Sequence, residues 1–290
     1  MICGILLLAS LLKMKDEFYI GWQDKAPPSY AKKAKRAVLA LVIIVPLIAI
    51  LLVVTQQPFA TSTYEIAQLR TLEGILITEP IPCLKMPSGT DKSGVQQFQR
   101  VLLVGFGKKA ATPALDEIEK MQGQTLHGKG VQLEGKLIYF DGKLAMELSK
   151  GAAAFKGFKN IQDAPSFQQK LGDATLRGEI LDPKCYLGVM RPGQGKPHRS
   201  CAIRCIEGGI PPFFKVATKE DAHQYFFVLD ANGNPVNDKI AKYVADEVQI
   251  CGSVERWDDW YVVKMDMAQG FQLLVPHWAK GQDIPMCYGK

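Results

Sequence analysis

The sequence predicts a mainly β protein with short helices, in which an N-terminal transmembrane helix is followed by two small OB-like β-barrel domains. Three observations lead there: an uncharged apolar run at residues 37–54, a strand pattern that occurs twice in the remainder, and a hairpin that closes each occurrence. They divide the 290 residues into a cytoplasmic segment 1–36, a membrane helix 37–55, a first OB-like domain 60–150, a second at 173–267 and a C-terminal tail 268–290.

The run reads AVLALVIIVPLIAILLVV, eighteen residues without a charge. That is close to the ~20 residues needed to cross a hydrocarbon core of about 30 Å. It has no polar face, which a core helix of a globular domain would show, and Pro46 at mid-span is tolerated better in a membrane helix than in a soluble one. Lys32, Lys33, Lys35 and Arg36 precede it, whereas uncharged Thr55, Gln56, Gln57 and Pro58 follow. Positive charge stays on the cytoplasmic side, so the N-terminus is expected inside and everything after residue 54 outside, in the periplasm if the source is bacterial. Residues 1–36 carry a net +4, which leaves only +2 of the total +6 for the rest. With so little basic excess beyond the span, nucleic acid is excluded as a partner class and the membrane is the expected one. Residues 1–12 are apolar but too short to span, and they lack the charged start and small-residue cleavage site of a signal peptide. A translation start at Met14 is the simplest expectation, with a short membrane-surface segment as the alternative.

The outer part reads as two similar halves. Leu72, Gly74, Ile75 and Leu76, then Cys83, are echoed by Leu176, Gly178, Glu179 and Ile180, then Cys185. The strand Arg100, Val101, Leu102, Leu103, Val104 is echoed by Tyr225, Phe226, Phe227, Val228, Leu229. A short helical run follows each, at residues 114–121 and 236–244, and then a hairpin. The first hairpin pairs residues 131–140 with 143–148 around Asp141 and Gly142, a type I′ signal; the second pairs 247–256 with 260–265 around Asp258 and Asp259. The carboxylates of this second tip are expected to be solvated. The boundary between halves is placed at residues 151–172, where glycines and Asp163, Ala164, Pro165 break the periodicity.

At one place the halves differ. The second inserts residues 185–212, which hold Cys185, His198, Cys201 and Cys205; three of the chain's seven cysteines and one of its four histidines thus fall within 21 residues. Lys196 and Pro197 open a helix and Gly208 and Gly209 close it, which puts His198, Cys201 and Cys205 at i, i+3 and i+7 on one face. The six cysteines after residue 54 are Cys83, Cys185, Cys201, Cys205, Cys251 and Cys287, and outside the membrane their default is to form disulfides. On this first reading the insert is stapled to its barrel, with Cys185 or Cys251 bridging to Cys201 or Cys205; a bridge between Cys201 and Cys205 themselves is disfavoured one helical turn apart. A second reading is a Cys3His metal site suited to zinc, Cu(I) or an iron-sulfur cluster, although the spacing differs from paired C-x2-C zinc motifs. The staple reading comes first, so no cofactor is the leading expectation, with zinc, copper or an iron-sulfur cluster as the alternative. Thiol redox chemistry lacks its C-x-x-C motif. A fourth reading makes Gly193, Gln194, Gly195 and Lys196 an anion loop with Lys196 and Arg199 as contacts, but Met190 and Pro197 break the P-loop spacing. His127 and His277 are expected to be structural, and the sequence holds no G-x-S-x-G or H-E-x-x-H set, so no catalytic residues are assigned.

The block from Gly178 through Cys185, Tyr186, Leu187, Gly188, Val189 and Met190, together with His198-Arg199-x-Cys201-Ala202-x-x-Cys205 and Gly208 to Pro212, resembles a family of bacterial membrane-anchored or exported proteins. The resemblance covers the second half well and implies that Cys185, His198, Cys201 and Cys205 travel together. It supplies neither substrate nor mechanism. One N-terminal span before an OB-like domain is also similar to the membrane-anchored haem chaperones of cytochrome maturation, though their His-x-x-x-Tyr motif is missing here. The leading functional expectation is a binding or assembly module attached to a membrane or periplasmic redox complex; the alternative is a metal-binding or electron-carrier protein using the Cys3His cluster.

Overall fold

Residues 25–55, 62–161, 167–216 and 224–274 are described in a computed structural model of the chain. Two compact units divide the chain near Pro58. The first holds helix α1 (Pro28–Thr55), whose 28 residues extend about 42 Å at 1.5 Å per residue. It is long and apolar enough to cross a membrane. It starts nine residues before the expected span, because Pro28 suits a first helical turn and the Ala/Lys/Arg run after it favours helix.

The second unit is mainly β. Its first sheet contains β1 (Thr63–Tyr64), β2 (Arg70–Ile77), β3 (Cys83–Thr90), β4 (Gln96–Gly105), β5 (Gly130–Phe140), β6 (Lys143–Leu148) and β7 (Phe155–Phe158), with α2 (Thr112–Gln122) between β4 and β5. Pairing runs β2, β3, β4, β6, β5 and back to β2, a closed five-stranded, barrel-like circuit in which only β4 and β6 are parallel. The second sheet contains β8 (Gln168–Leu181), β9 (Phe213–Val216), β10 (Gln224–Asp230), β11 (Glu247–Trp257), β12 (Trp260–Met265) and β13 (Phe271–Leu273), with α3 (Arg199–Glu207) and α4 (Asn237–Ile240) in its connections. Its pairings follow the same order, β8, β9, β10, β12, β11 and back to β8, again with one parallel pair, β10 and β12.

The echoes in the sequence mark equivalent positions in the two circuits. A side chain at Gly74 would run into the Lys85 carbonyl and one at Gly178 into that of Lys215, so both glycines sit where a neighbouring strand crosses too closely for a Cβ. The register pairs Val101 with Leu144 and Phe226 with Tyr261, each partner lying three residues past its hairpin aspartate. Asp141 and Gly142 both take positive φ, as the expected type I′ turn requires.

Alternation along the strands builds three apolar layers. From β4, Val101 and Leu103 enter the first core, while Leu102 and Val104 face the other way; from β10, Phe226 and Val228 enter the second core, while Tyr225, Phe227 and Leu229 face away. The outward sets meet in a shared layer with Cys83, Ile138, Trp257 and Trp260. Burial pushes the Cys83 thiol up to about 12, so it acts there as an apolar side chain.

This layer corrects the expectation for the second hairpin tip. Asp258 is buried and its carboxylate accepts from Arg100 Nε at 2.7 Å, while Asp259 accepts from the Arg100 backbone N-H at 2.8 Å. The first tip does the same in reverse, with the Tyr225 hydroxyl donating to Asp141 at 2.9 Å. Arg100 and Tyr225 occupy equivalent positions, so each tip binds the other sheet's third barrel strand.

Boundaries also shift. β8 begins at Gln168, five residues before the expected second domain, because it stays paired with β11 down to Trp257. The expected tail contributes β13, which pairs with β11; His277, Cys287 and Asp163 to Pro165 lie outside the described residues.

Candidate functional site

β8 ends at Leu181, and the connection to β9 begins by folding on itself. The Asp182 carboxylate accepts the Lys184 N-H at 3.0 Å, the Asp182 carbonyl accepts the Tyr186 N-H at 3.0 Å, and Cys185–Val189 close a wide turn. Gly188 and Gly193 leave no room for a side chain: a Cβ on the first would meet the Thr63 carbonyl and on the second the Tyr186 backbone. The chain returns through a 3-10 turn at Lys196–His198 into α3, then Gly208 and Gly209 end the helix, the latter at φ 89°.

Helix α3 is held from both sides. Ala202 and Ile206 enter the second core, and Cys205 the shared layer. The Asn237 amide donates to the Ile206 and Ile210 carbonyls at 2.8 Å, and the Gly208 carbonyl accepts from Ala110 N-H, in the first sheet's connection, at 2.8 Å. Buried Lys184 crosses to the first sheet as well, donating to the Gly105 and Gly107 carbonyls at 2.7 and 2.6 Å and pairing with Glu147 at 2.6 Å. Tyr64 donates to the other Glu147 oxygen at 3.0 Å. The insert is therefore wedged between sheets.

The expected residues converge there, though not as a single tetrahedral set. The sulfurs of Cys185, Cys201 and Cys205 lie within 4.8 Å of one another, and Asp182, Cys185 and His198 form a second triad within the same limit. Cys185 belongs to both. All three cysteines are free thiols, so the disulfide staple does not form among them; i and i+4 on a regular helix again keep Cys201 and Cys205 from bridging. Cys251 lies on β11 beside the Thr175 hydroxyl, away from these sulfurs.

Electrostatics favour ligating forms in part. Burial lowers the His198 imidazole below its ordinary value, with Asp182 opposing and Lys108 assisting, so the ring is neutral near pH 7. The Cys185 thiol is raised, first by its hydrogen bond with Cys205 and then by burial, so without an ion it keeps its proton. Lys108, reaching over from the first sheet, donates to Cys201 Sγ at 3.2 Å, and that hydrogen bond raises the lysine above its ordinary value. Two buried polar atoms are left without partners, His198 Nε2 and Asp182 Oδ2, on the two residues grouped with Cys185.

The anion-loop residues have a different employment. Lys196 and Arg199 both pair with Asp246, the latter at 2.8 Å, and the Gly195 N-H donates to Glu179 at 2.6 Å. Carboxylates of the chain itself satisfy the groups assigned to an external anion. His127 is exposed and accepts from the Thr78 N-H at 3.3 Å.

Sequence reasoning missed Asp182, Lys108 and Lys184. Asp182 was within reach, since it stands three residues before Cys185 in the densest block of the chain. Lys108 carries no linear signal, because it belongs to the other half. No protein-family model, curated protein or solved structure matches the chain, so the resemblance of the 178–212 block rests on its own residues.

Proposed function

We propose that this is a single-pass, membrane-anchored metal-binding protein whose two barrel-like sheets are OB-like domains. The strand order with one parallel pair, used twice, supports the OB reading, and the Lys/Arg cluster in the first turns of α1, before its apolar run, supports an N-terminus inside and the sheets outside. Cys185, Cys201 and Cys205 are the thiolate ligands, with His198 and Asp182 completing the site. The observation that carries the reading is the pair of buried, unpartnered atoms, His198 Nε2 and Asp182 Oδ2, set around a cluster of three free thiols. A buried polar atom without a partner costs about 1–3 kcal/mol, more when charged, and a bound cation removes that cost at both atoms. Thiolates with imidazole suit zinc or Cu(I).

The assembly-module reading ranks second, because a partner recognised through these residues needs them facing outward, whereas Cys185, Cys205 and His198 are buried and only Cys201 is half-exposed. Full-length protein purified in detergent under reducing conditions tests the proposal. Zinc or copper bound in stoichiometric amount, and lost in Cys185→Ser with Cys205→Ser, is the expected result. Reduced wild-type protein that takes up neither ion at micromolar concentration overturns it.

A further inference from the structure

We infer that the cluster holds two divalent ions bridged by the Cys185 thiolate, an outer ion on Cys201 and Cys205 and an inner ion on Asp182 and His198. The inference rests on reading the site as a metal centre and adds its nuclearity.

Geometry comes first. A zinc-type ion binds thiolate sulfur at about 2.3 Å and imidazole nitrogen at about 2.0 Å, so two donors on one ion are separated by at most about 4.6 Å. The five donors do not fall into one group within 4.8 Å of one another; they fall into two triads, with Cys185 the single member of both. One ion therefore cannot reach all five, whereas two ions sharing one sulfur can. Thiolate sulfur has the lone pairs to bridge.

Charge permits the same count. Three thiolates and the Asp182 carboxylate carry four negative charges in a site whose inner members are almost completely enclosed, Asp182 at 0% and His198 at 4% exposure. With Lys108 on Cys201 counted, one divalent ion leaves the set one charge negative and two leave it one charge positive, so a second ion costs no more uncompensated charge than the first.

The unpartnered atoms place the second ion. Cys201 and Cys205 have each other and Cys185 as neighbours, so the outer ion leaves His198 Nε2 and Asp182 Oδ2 unsatisfied, and both residues belong to the inner triad. The outer position opens to solvent at half-buried Cys201, while all three inner ligands are buried.

Metal-free, reduced full-length protein in detergent is titrated with Co(II) as a spectroscopic stand-in for zinc. Two equivalents are expected to bind, both with thiolate-to-cobalt charge-transfer absorption, and the high-spin Co(II) resonance gained at the first equivalent should weaken at the second as the bridged ions couple. His198→Gln or Asp182→Asn should bind one equivalent and keep the charge-transfer band and an uncoupled resonance. The wild-type resonance needs no variant, so a variant that misfolds leaves the test intact. Saturation of the wild type at one equivalent, or two equivalents without coupling, overturns the bridged pair while leaving the metal-site reading standing. No binding at all to the reduced thiols overturns both.

Discussion

At the scale of single residues, the shared layer depends on buried charge that is fully matched. Arg100 and Asp258 are both almost inaccessible and pair at 2.7 Å, with Asp258 also accepting the Phe167 N-H at 2.9 Å. Removing one partner of such a pair strands the other, at a cost of about 3–5 kcal/mol, whereas replacing both by apolar groups recovers much of it. Arg100→Met should therefore lower stability by about that range and Arg100→Met with Asp258→Leu by less, a difference read from denaturant unfolding of the two variants. His198 adds a pH dependence to the metal-free protein. Its folded-state value is depressed by burial, so the unfolded chain takes up the proton first as pH falls. Stability from the neutral ring is full above the ordinary imidazole value of about 6.5 and declines as pH drops below it toward the lower folded value. The melting temperature of the apo protein should fall between pH 7 and 5, and His198→Gln should flatten that slope; an unchanged slope removes the imidazole from the account. Residue-level legibility followed chemistry. The cysteines and His198 announced themselves by type and spacing, while Asp258 read as a solvated hairpin tip, because nothing in a hairpin's own sequence says that another sheet lies against it.

At the scale of elements, the parts whose signals are local were legible and those fixed by distant contact were not. The first hairpin was placed to within a residue from Asp141 and Gly142 and the flanking alternation. The extra length of β8 before residue 173 is set by its pairing with β11, more than 70 residues away, and no periodicity of its own reports that. Helix α3 belongs to both kinds: its ends were legible from Pro197 and Gly208, its docking was not. That docking yields a prediction. Gly208 packs against the Lys108 carbonyl so closely that any Cβ forces the helix end away, and Ala110 N-H loses its acceptor with it. Among the four free cysteines of the described residues, Cys201 is half-buried and Cys83, Cys185 and Cys205 are buried. Brief treatment of native protein with N-ethylmaleimide should label Cys201 first. Gly208→Ala should bring Cys205 into the early-labelled set, with peptide mass spectrometry as the readout; protection of Cys205 unchanged in that variant shows that the helix stays seated.

At the scale of the molecule, the two halves recognised in the sequence as separate domains share one apolar layer, and this has a thermodynamic consequence. Trp260 illustrates it: almost fully buried, it packs on Phe227 at 4.4 Å between ring centroids and stands within the layer that Leu102 and Val104 enter from the first sheet. Neither sheet keeps that surface out of water alone. Unfolding either half exposes the outward faces of both, removes the partners of Asp141 and Asp258, and leaves Lys184 without its carbonyls. Each loss raises the free energy of the half still folded. A coupling comparable with the stability of a whole domain, about 5–15 kcal/mol, is the condition for one transition rather than two, and the shared layer is expected to meet it. Calorimetry of residues 59–290 should show a single peak whose calorimetric and van't Hoff enthalpies agree. Trp260→Ala removes an aromatic side chain from the layer at a cost of about 3–5 kcal/mol. It should move that single peak to lower temperature with the first sheet's signals moving together with the second's. Two resolved peaks in the wild type, or a Trp260→Ala peak that splits and leaves one half at its original temperature, would show that the shared layer is a contact between independent domains and not a common core.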